Sequence, residues 1–395
     1  MVSKILTLNQ ISIKGLERLP RDKYEIASEF AHPDAILLRS HKLQAADIPD
    51  SVRCIARAGA GVNNVPVAEC TKRGIPVFNS PGANANAVKE LVAAALLLGS
   101  RGIKEGVNYV STLGDIADEA ELNRTLEAQK KQFKGSELMG KTLGVVGLGA
   151  IGSLVAEMAL TFGMEVVGYD PALSVEAAWR LSSRVQKADA ISSLFARCDY
   201  ITLHLPVLDS TRGLVNAELL ANVRPGTCLV NFARQEIVDN EAIIEALDAG
   251  KLRKYIADFP APGLIGRDDV ILMPHIGAST DEAEDNCAIM AAEQLRDFLE
   301  NGNIRNSVNF PATQLEHVTG CRLAVTNENV PRVLTSILAI LAEANINVID
   351  MLNKSRDEIA YNLIDIESQP SEAALVSMEA LEGVISARLI GDCCS

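Results

Sequence analysis

None of the eight cysteines, Cys54, Cys70, Cys198, Cys228, Cys287, Cys321, Cys393 and Cys394, forms a C-x-x-C pair. That leaves zinc and thioredoxin-type chemistry without support, and no metal site is expected. Single cysteines in apolar runs read as small, reduced, buried thiols of a cytosolic protein, with Cys393-Cys394 on a frayed tail. Long apolar runs are lacking as well. Even Leu91 to Leu98 is too short to span a bilayer. The start, MVSKILTLNQ, turns polar too soon for the core of a signal peptide. The expectation is a cytoplasmic protein with no membrane partner. Positive charge is in deficit: 37 Lys and Arg face 51 Asp and Glu, for a net charge of −14. Such a protein repels a phosphate backbone in the mean field, so nucleic acid is not an expected partner. An anionic ligand would need its own local cluster of arginines.

What is present is ordinary globular material, 48% hydrophobic and 22% charged, over 395 residues, with room for two or three domains. Short apolar runs at Ala35–Leu38, Val52–Arg57 and Gly74–Asn79 alternate with helical stretches, which implies a parallel sheet with crossovers. Ala85 to Arg101 reads as one long buried helix. Residues 112–136 read as surface helix and connecting loop. A second run of strands, Lys141–Gly147, Met164–Asp170, Tyr200–His204, Thr227–Phe232, Tyr255–Ala257 and Val270–Met273, makes a full doubly wound α/β unit. From Cys321 the order becomes βαββαβ, the pattern of a ferredoxin-like domain. Its helices open near Pro331 and Ser371, and its last strand is Val384–Ile390. Residues 306–319 read as a linker.

Gly147-Leu148-Gly149-Ala150-Ile151-Gly152 is a G-x-G-x-x-G between a hydrophobic strand and a helix. The first glycine permits the tight turn, the second lets backbone approach a pyrophosphate, and the third lets helix pack on strand. Free N–H groups at the helix start bind phosphate. Asp170 ends the next strand, where an acid meets the adenine-ribose hydroxyls and disfavours a 2′-phosphate. NAD is therefore the expected cofactor.

Beyond this loop the chain resembles the D-isomer-specific 2-hydroxyacid dehydrogenases, and within them the branch acting on phosphoglycerate. The resemblance rests on Arg57-Ala58-Gly59-Ala60-Gly61-Val62-Asn63-Asn64-Val65, His204-Leu205-Pro206, Val230-Asn231-Phe232-Ala233-Arg234 with Val238-Asp239, and Pro274-His275-Ile276-Gly277-Ala278-Ser279-Thr280. It implies two Rossmann-like doubly wound lobes, one for substrate (residues 1–98 and 285–311) and one for NAD (99–284). A ferredoxin-like ACT domain (318–395) follows. It further implies a homodimer or homotetramer.

The resemblance also assigns residues. His275 is the catalytic base and Arg234 the arginine that forks onto the substrate's carboxylate and carbonyl. Both types suit the chemistry, because an alcohol proton needs an acceptor titrating near working pH and a 2-oxo acid offers two adjacent oxygens. His204, Pro206, Phe232, Ala233 and Asp258 join Gly147, Gly149, Ala150, Ile151, Gly152 and Asp170 around the cofactor. Gly59, Ala60 and Gly61 hold the substrate carboxylate through backbone N–H groups. Arg39, Ser40, Arg57 and Asn84 hold a phosphate end, making the substrate a small anionic 2-hydroxy acid. Asn327, Asn329 and Asn347 match positions for an L-serine effector, although Asn327 stands where relatives carry histidine and Arg332 where they carry glycine; the alternative is a domain that only holds subunits together. The family's glutamate partner of the catalytic histidine is missing from Asp258-Phe259-Pro260-Ala261-Pro262-Gly263. His275 is expected to work without that carboxylate; the alternative is a substitute from Asp268, Asp269 or an acid within Asp281–Asp285. The alternatives are a sister dehydrogenase for glycerate, hydroxypyruvate or 2-hydroxyglutarate, and an NAD-sensing binding protein without turnover.

Overall fold

A computed structural model describes residues 2–316 and 320–391. His317, Cys393 and Cys394 lie outside the described residues. The chain forms two compact units, residues 1–84 with 281–395, and residues 85–280.

The first unit opens with five parallel strands, β1 (Ser3–Leu8), β2 (Tyr24–Ala27), β3 (Ala35–Leu38), β4 (Cys54–Arg57) and β5 (Val77–Phe78). They lie in the order β2-β1-β3-β4-β5, the 2-1-3-4-5 order of flavodoxin-like sheets. β3 is buried throughout, as a strand covered on both faces must be. Because the strands are parallel, Arg39 just beyond β3 and Arg57 at the end of β4 share the carboxyl edge, with Leu38 in register with Arg57. β1 and β2 were not expected from the sequence. β1 mixes lysine, serine and threonine with its apolar residues, and only burial of Ile5 against Ala35 and Leu37 makes it a strand.

The second unit holds seven parallel strands: β6 (Thr142–Val146), β7 (Glu165–Tyr169), β8 (Val185–Lys187), β9 (Tyr200–Leu203), β10 (Thr227–Asn231), β11 (Leu252–Ala257) and β12 (Val270–Leu272). Their order is β12-β11-β10-β9-β6-β7-β8. The order reverses between β6 and β9, the switch point where doubly wound sheets bind nucleotides. Helix Ala85–Ser100, expected at the end of the first lobe, belongs to this unit. Its Val88, Val92, Ala95 and Leu96 are buried with Leu143, Val145 and Tyr200. The 112–136 region is a helix (Glu119–Gln129) followed by a 3-10 turn, largely exposed as expected.

The C-terminal strands are β13 (Cys321–Glu328), β14 (Val348–Arg356), β15 (Ile359–Ile366) and β16 (Val384–Ile390). They form an antiparallel sheet in the order β14-β15-β13-β16, the ferredoxin-like arrangement the sequence grammar implied. One face carries helices Val333–Glu343 and Glu372–Glu379 over Leu323, Val325 and Ile364. The other face, with Tyr361 and Leu363, shares a core with Phe298 and Phe310, which is why this sheet falls in the first unit. Arg322 and Asp365 face each other on β13 and β15 and form a bidentate pair (2.6 and 2.8 Å), each side chain 1% exposed. Cys54, Cys70, Cys198, Cys228 and Cys287 are free and buried, as expected. Cys321 departs from the expectation of reduced thiols, for it is disulfide-bonded. Among the described residues no helix is long and apolar enough to cross a membrane, and no cluster of metal-ligating side chains forms.

Candidate active site

The glycine loop follows β6 and opens helix Ala150–Thr161. Gly147 has φ 91°, and a Cβ there would lie 2.6 Å from the His204 carbonyl oxygen. A Cβ on Gly152 would lie 1.9 Å from the Gly147 carbonyl oxygen. Both positions therefore exclude any other residue. Gly149 differs: nothing comes within 4 Å of a Cβ built there. An open side beside unpaired helix N–H groups suits a pyrophosphate. Asp170, just beyond β7, accepts the Leu148 and Ala172 N–H groups at 2.9 Å each. The acid thus braces the glycine loop as well as standing at its rim.

His204 follows β9. Its Nε2 lies 3.0 Å from Thr202 Oγ1, while its Nδ1 is buried with no partner. Burial pushes its pKa down to about 3, so the ring is neutral. Pro206 is exposed, whereas Phe232 and Ala233 are buried. Arg234 follows them, half-buried, with Nη1 on the Ala233 carbonyl at 2.6 Å. The turn that aims it is clipped by Asn231, fully buried at the end of β10. Its Nδ2 donates to the Arg234 carbonyl at 3.0 Å and its Oδ1 accepts the Ala233 N–H at 3.2 Å. Asn231 was not assigned a role from sequence. The available signal was a polar residue closing an otherwise apolar buried strand.

Asp258, 2% exposed beyond β11, accepts the N–H groups of Ile276 and Gly277 at 2.8 and 2.7 Å. These two residues directly follow His275, whose backbone is left-handed (φ 58°) and whose ring is exposed. A non-glycine residue there costs about 1–2 kcal/mol, which the Asp258 bonds offset. The neighbour of the His275 ring is Phe259, edge-on at 5.0 Å. Among the described residues no carboxylate hydrogen-bonds that ring. The substitutes named from sequence are largely engaged elsewhere. Asp269 is held bidentately by Arg267 at 2.9 Å, which lowers its pKa. Asp285 takes Ser12 and Lys14, and Glu284 takes Arg39. Asp268 is exposed.

In the first unit, Arg39 reaches Glu284 at 2.6 Å, and Arg57 Nε donates to the Arg39 carbonyl at 3.0 Å. Asn64, another residue sequence reasoning passed over, donates to the carbonyls of Arg39 and His41 and keeps a buried, unpartnered Oδ1. Ser40 is exposed beside Arg39. Gly59 has φ 151°, and a Cβ there would collide with the Arg57 guanidinium at 1.9 Å. Ala60 and Gly61 follow it in a half-buried loop. The Asn84 Oδ1 is buried without a partner.

In the C-terminal sheet Asn327 is 3% exposed, and its amide is used on the Glu328 carbonyl and the Asn362 side chain. Asn329 and Asn347 are exposed and bond the Asp357 carbonyl and Glu367.

The NAD-binding domain of the D-isomer specific 2-hydroxyacid dehydrogenases matches residues 108–277. The D-3-phosphoglycerate dehydrogenase of Haemophilus influenzae is 34% identical over 89% of this chain and 84% of its own. That of Escherichia coli K12 is 33% identical over 89% and 86%. Among solved structures, the NAD+-bound 3-phosphoglycerate dehydrogenase of Entamoeba histolytica gives a TM-score of 0.61 at 28% identity, covering 78% of this chain and 99% of that one. The chain belongs to the D-isomer specific 2-hydroxyacid dehydrogenases, enzymes that use NAD.

Proposed function

We infer that this chain is a D-3-phosphoglycerate dehydrogenase, oxidising 3-phosphoglycerate to 3-phosphohydroxypyruvate at the start of the phosphorylated route to serine. The observation that carries the reading is Arg39 and Arg57 together at one sheet edge of an acidic protein. That is the local positive field a phosphorylated substrate requires. The identity to phosphoglycerate dehydrogenases over most of the chain supports the same assignment.

Bound NAD supplies the hydride acceptor, and the remaining work falls to the chain. The open side at Gly149 and the free N–H groups behind it take the pyrophosphate, and Asp170 accepts from the ribose hydroxyls. His275 removes the hydroxyl proton as the electron pair of the C–H bond leaves, and returns it in the reverse direction. Arg234 forks onto the carboxylate and the forming carbonyl, stabilising charge there. The Gly59–Gly61 backbone holds the carboxylate. Arg39, Ser40, Arg57 and Asn84 hold the phosphate, which competes with Glu284 for Arg39.

The lobes follow the compact units: residues 1–84 and 281–311 for substrate, 85–280 for NAD, and 318–395 as an ACT domain with L-serine as effector. The protein works as a homo-oligomer in the cytoplasm. Helix Ile103–Ser111 supports the first point, since Val107 and Val110 are 64% and 56% exposed and a second copy would cover them. Sedimentation tests it.

The deciding assay is NADH formation from 3-phosphoglycerate, with and without serine. Arg39→Ala or Arg57→Ala should raise KM for 3-phosphoglycerate by about tenfold or more, and much less for D-glycerate. Equal effects on both acids would remove the phosphate role. Turnover of another acid in place of phosphoglycerate moves the chain to a sister dehydrogenase. No turnover of any acid leaves an NAD-sensing binding protein.

A further inference from the structure

The loop that lacks a glutamate sets an aromatic ring against His275 instead. The Phe259 and His275 rings lie 5.0 Å apart between centroids with their planes at 62°, an edge-on arrangement that aromatic pairs favour. Among the described residues nothing hydrogen-bonds the His275 ring, so this contact is what bears on its orientation. The ring is exposed and turns about two side-chain torsions. Left to solvent it would spread over several rotamers, and only some of them aim a ring nitrogen at one substrate hydroxyl.

Phe259 is the better-held member of the pair. It is half-buried, and its backbone is fixed from both sides. It directly follows Asp258, the buried acid that accepts the Ile276 and Gly277 N–H groups. Pro260 comes next, and a residue before proline is driven toward extended backbone. The loop then closes on itself, with the Leu264 N–H on the Ala261 carbonyl at 3.2 Å and Leu264 in the core. One short segment therefore grips the histidine turn twice, Asp258 by the backbone just after His275 and Phe259 by the ring.

We propose that Phe259 is a positioning residue, whose ring holds the His275 imidazole in its working rotamer. A base in a catalytic site is ordinarily oriented by a third group that hydrogen-bonds it. Here an aromatic edge contact takes over that task by packing. The phenyl ring neither gives nor takes a proton, so both imidazole nitrogens stay open and no charge is added beside them. The positioning role rests on the reading of His275 as the base; the ring contact itself does not.

Two measurements on the full chain test it. An edge-on aromatic contact shifts a rotamer equilibrium by about two- to tenfold. Phe259→Leu keeps apolar bulk and loses the ring, so kcat should fall by about three- to tenfold while KM for NAD and 3-phosphoglycerate stays within about twofold. Phe259→Tyr keeps the ring and should hold kcat within about twofold of wild type. A Leu variant with wild-type kcat, a Tyr variant as slow as the Leu variant, or a loss confined to KM would overturn the positioning role. The second measurement needs no turnover. The ring C–H resonances of His275, identified by their absence from His275→Gln, should carry a ring-current displacement in wild type without cofactor or substrate, and should lose it in Phe259→Leu. Resonances unmoved by Phe259→Leu would overturn the contact. Absence of NADH from any acid, with the displacement intact, would overturn the base reading and the positioning role with it, and leave the contact standing.

Discussion

Replacing Asp258 with alanine should detach the His275 turn from its support. The carboxylate makes two short bonds, 2.8 Å to the Ile276 N–H and 2.7 Å to the Gly277 N–H, from a site only 2% exposed. Hydrogen bonds to a charged group are worth about 1.5–3 kcal/mol each, so about 3–6 kcal/mol of local restraint is lost. The turn holds a left-handed histidine (φ 58°), whose strain of about 1–2 kcal/mol then favours relaxation to another backbone conformation. A shift of ~1 Å in a catalytic group lowers rate by about a hundredfold. The expectation for Asp258→Ala is a kcat lower by about a hundredfold or more, with KM for NAD changed by less than about threefold. Asp258→Asn retains one acceptor oxygen and should recover part of the loss. Steady-state kinetics of both variants against NAD and 3-phosphoglycerate, with a thermal melt to confirm folding, make the measurement. If Asp258→Ala keeps its kcat and loses only NAD affinity, the residue serves the nicotinamide directly and the anchoring argument fails.

Three further outcomes are expected. Installing a carboxylate by Ala261→Glu should favour imidazolium at His275. The acid limb of alcohol oxidation and the alkaline limb of ketone reduction should then both move up by about 1–3 pH units; two unmoved profiles would mean the new acid does not face the ring. Buried neutral His204, held at a pKa of about 3, is protonated in the unfolded chain below about pH 6.5 but not in the folded one. Stability should therefore fall as pH drops from about 6.5 toward 3, and urea melts of His204→Gln should show a shallower slope over that window. Asp365→Ala should strand the Arg322 guanidinium in a site 1% exposed and destabilise the protein by about 3–5 kcal/mol in denaturant titration, far more than loss of the exposed Lys187–Asp189 pair in Asp189→Ala.

Much of the protein was legible without coordinates wherever the signal is local. The glycine loop is one case, because tight turn, close approach and helix packing all act within six residues, and the structure gives Gly147 and Gly152 no room for a side chain. The C-terminal βαββαβ order is another, since Ser371 caps its helix on Ala374 N–H and Val384–Ile390 is bounded as expected. Periodicity and capping are set by neighbours in the chain, so the chain reports them.

Only the tertiary structure decided which partner each long polar side chain took. Asp269 looked like a candidate for the missing histidine partner, yet Arg267 occupies both its oxygens. Asp258 serves N–H groups 18 and 19 residues away. Gln294 reaches Asn79 across 215 residues. Asn327, matched to an effector position, is buried within β13, and its Oδ1 accepts from Asn362. β1 became a strand through burial that its own mixed composition does not announce. For Asp258, Gln294 and Asn327 the deciding quantity is desolvation: a buried polar group must find whatever donor or acceptor folding sets beside it, and that neighbour is chosen by the packing of distant elements.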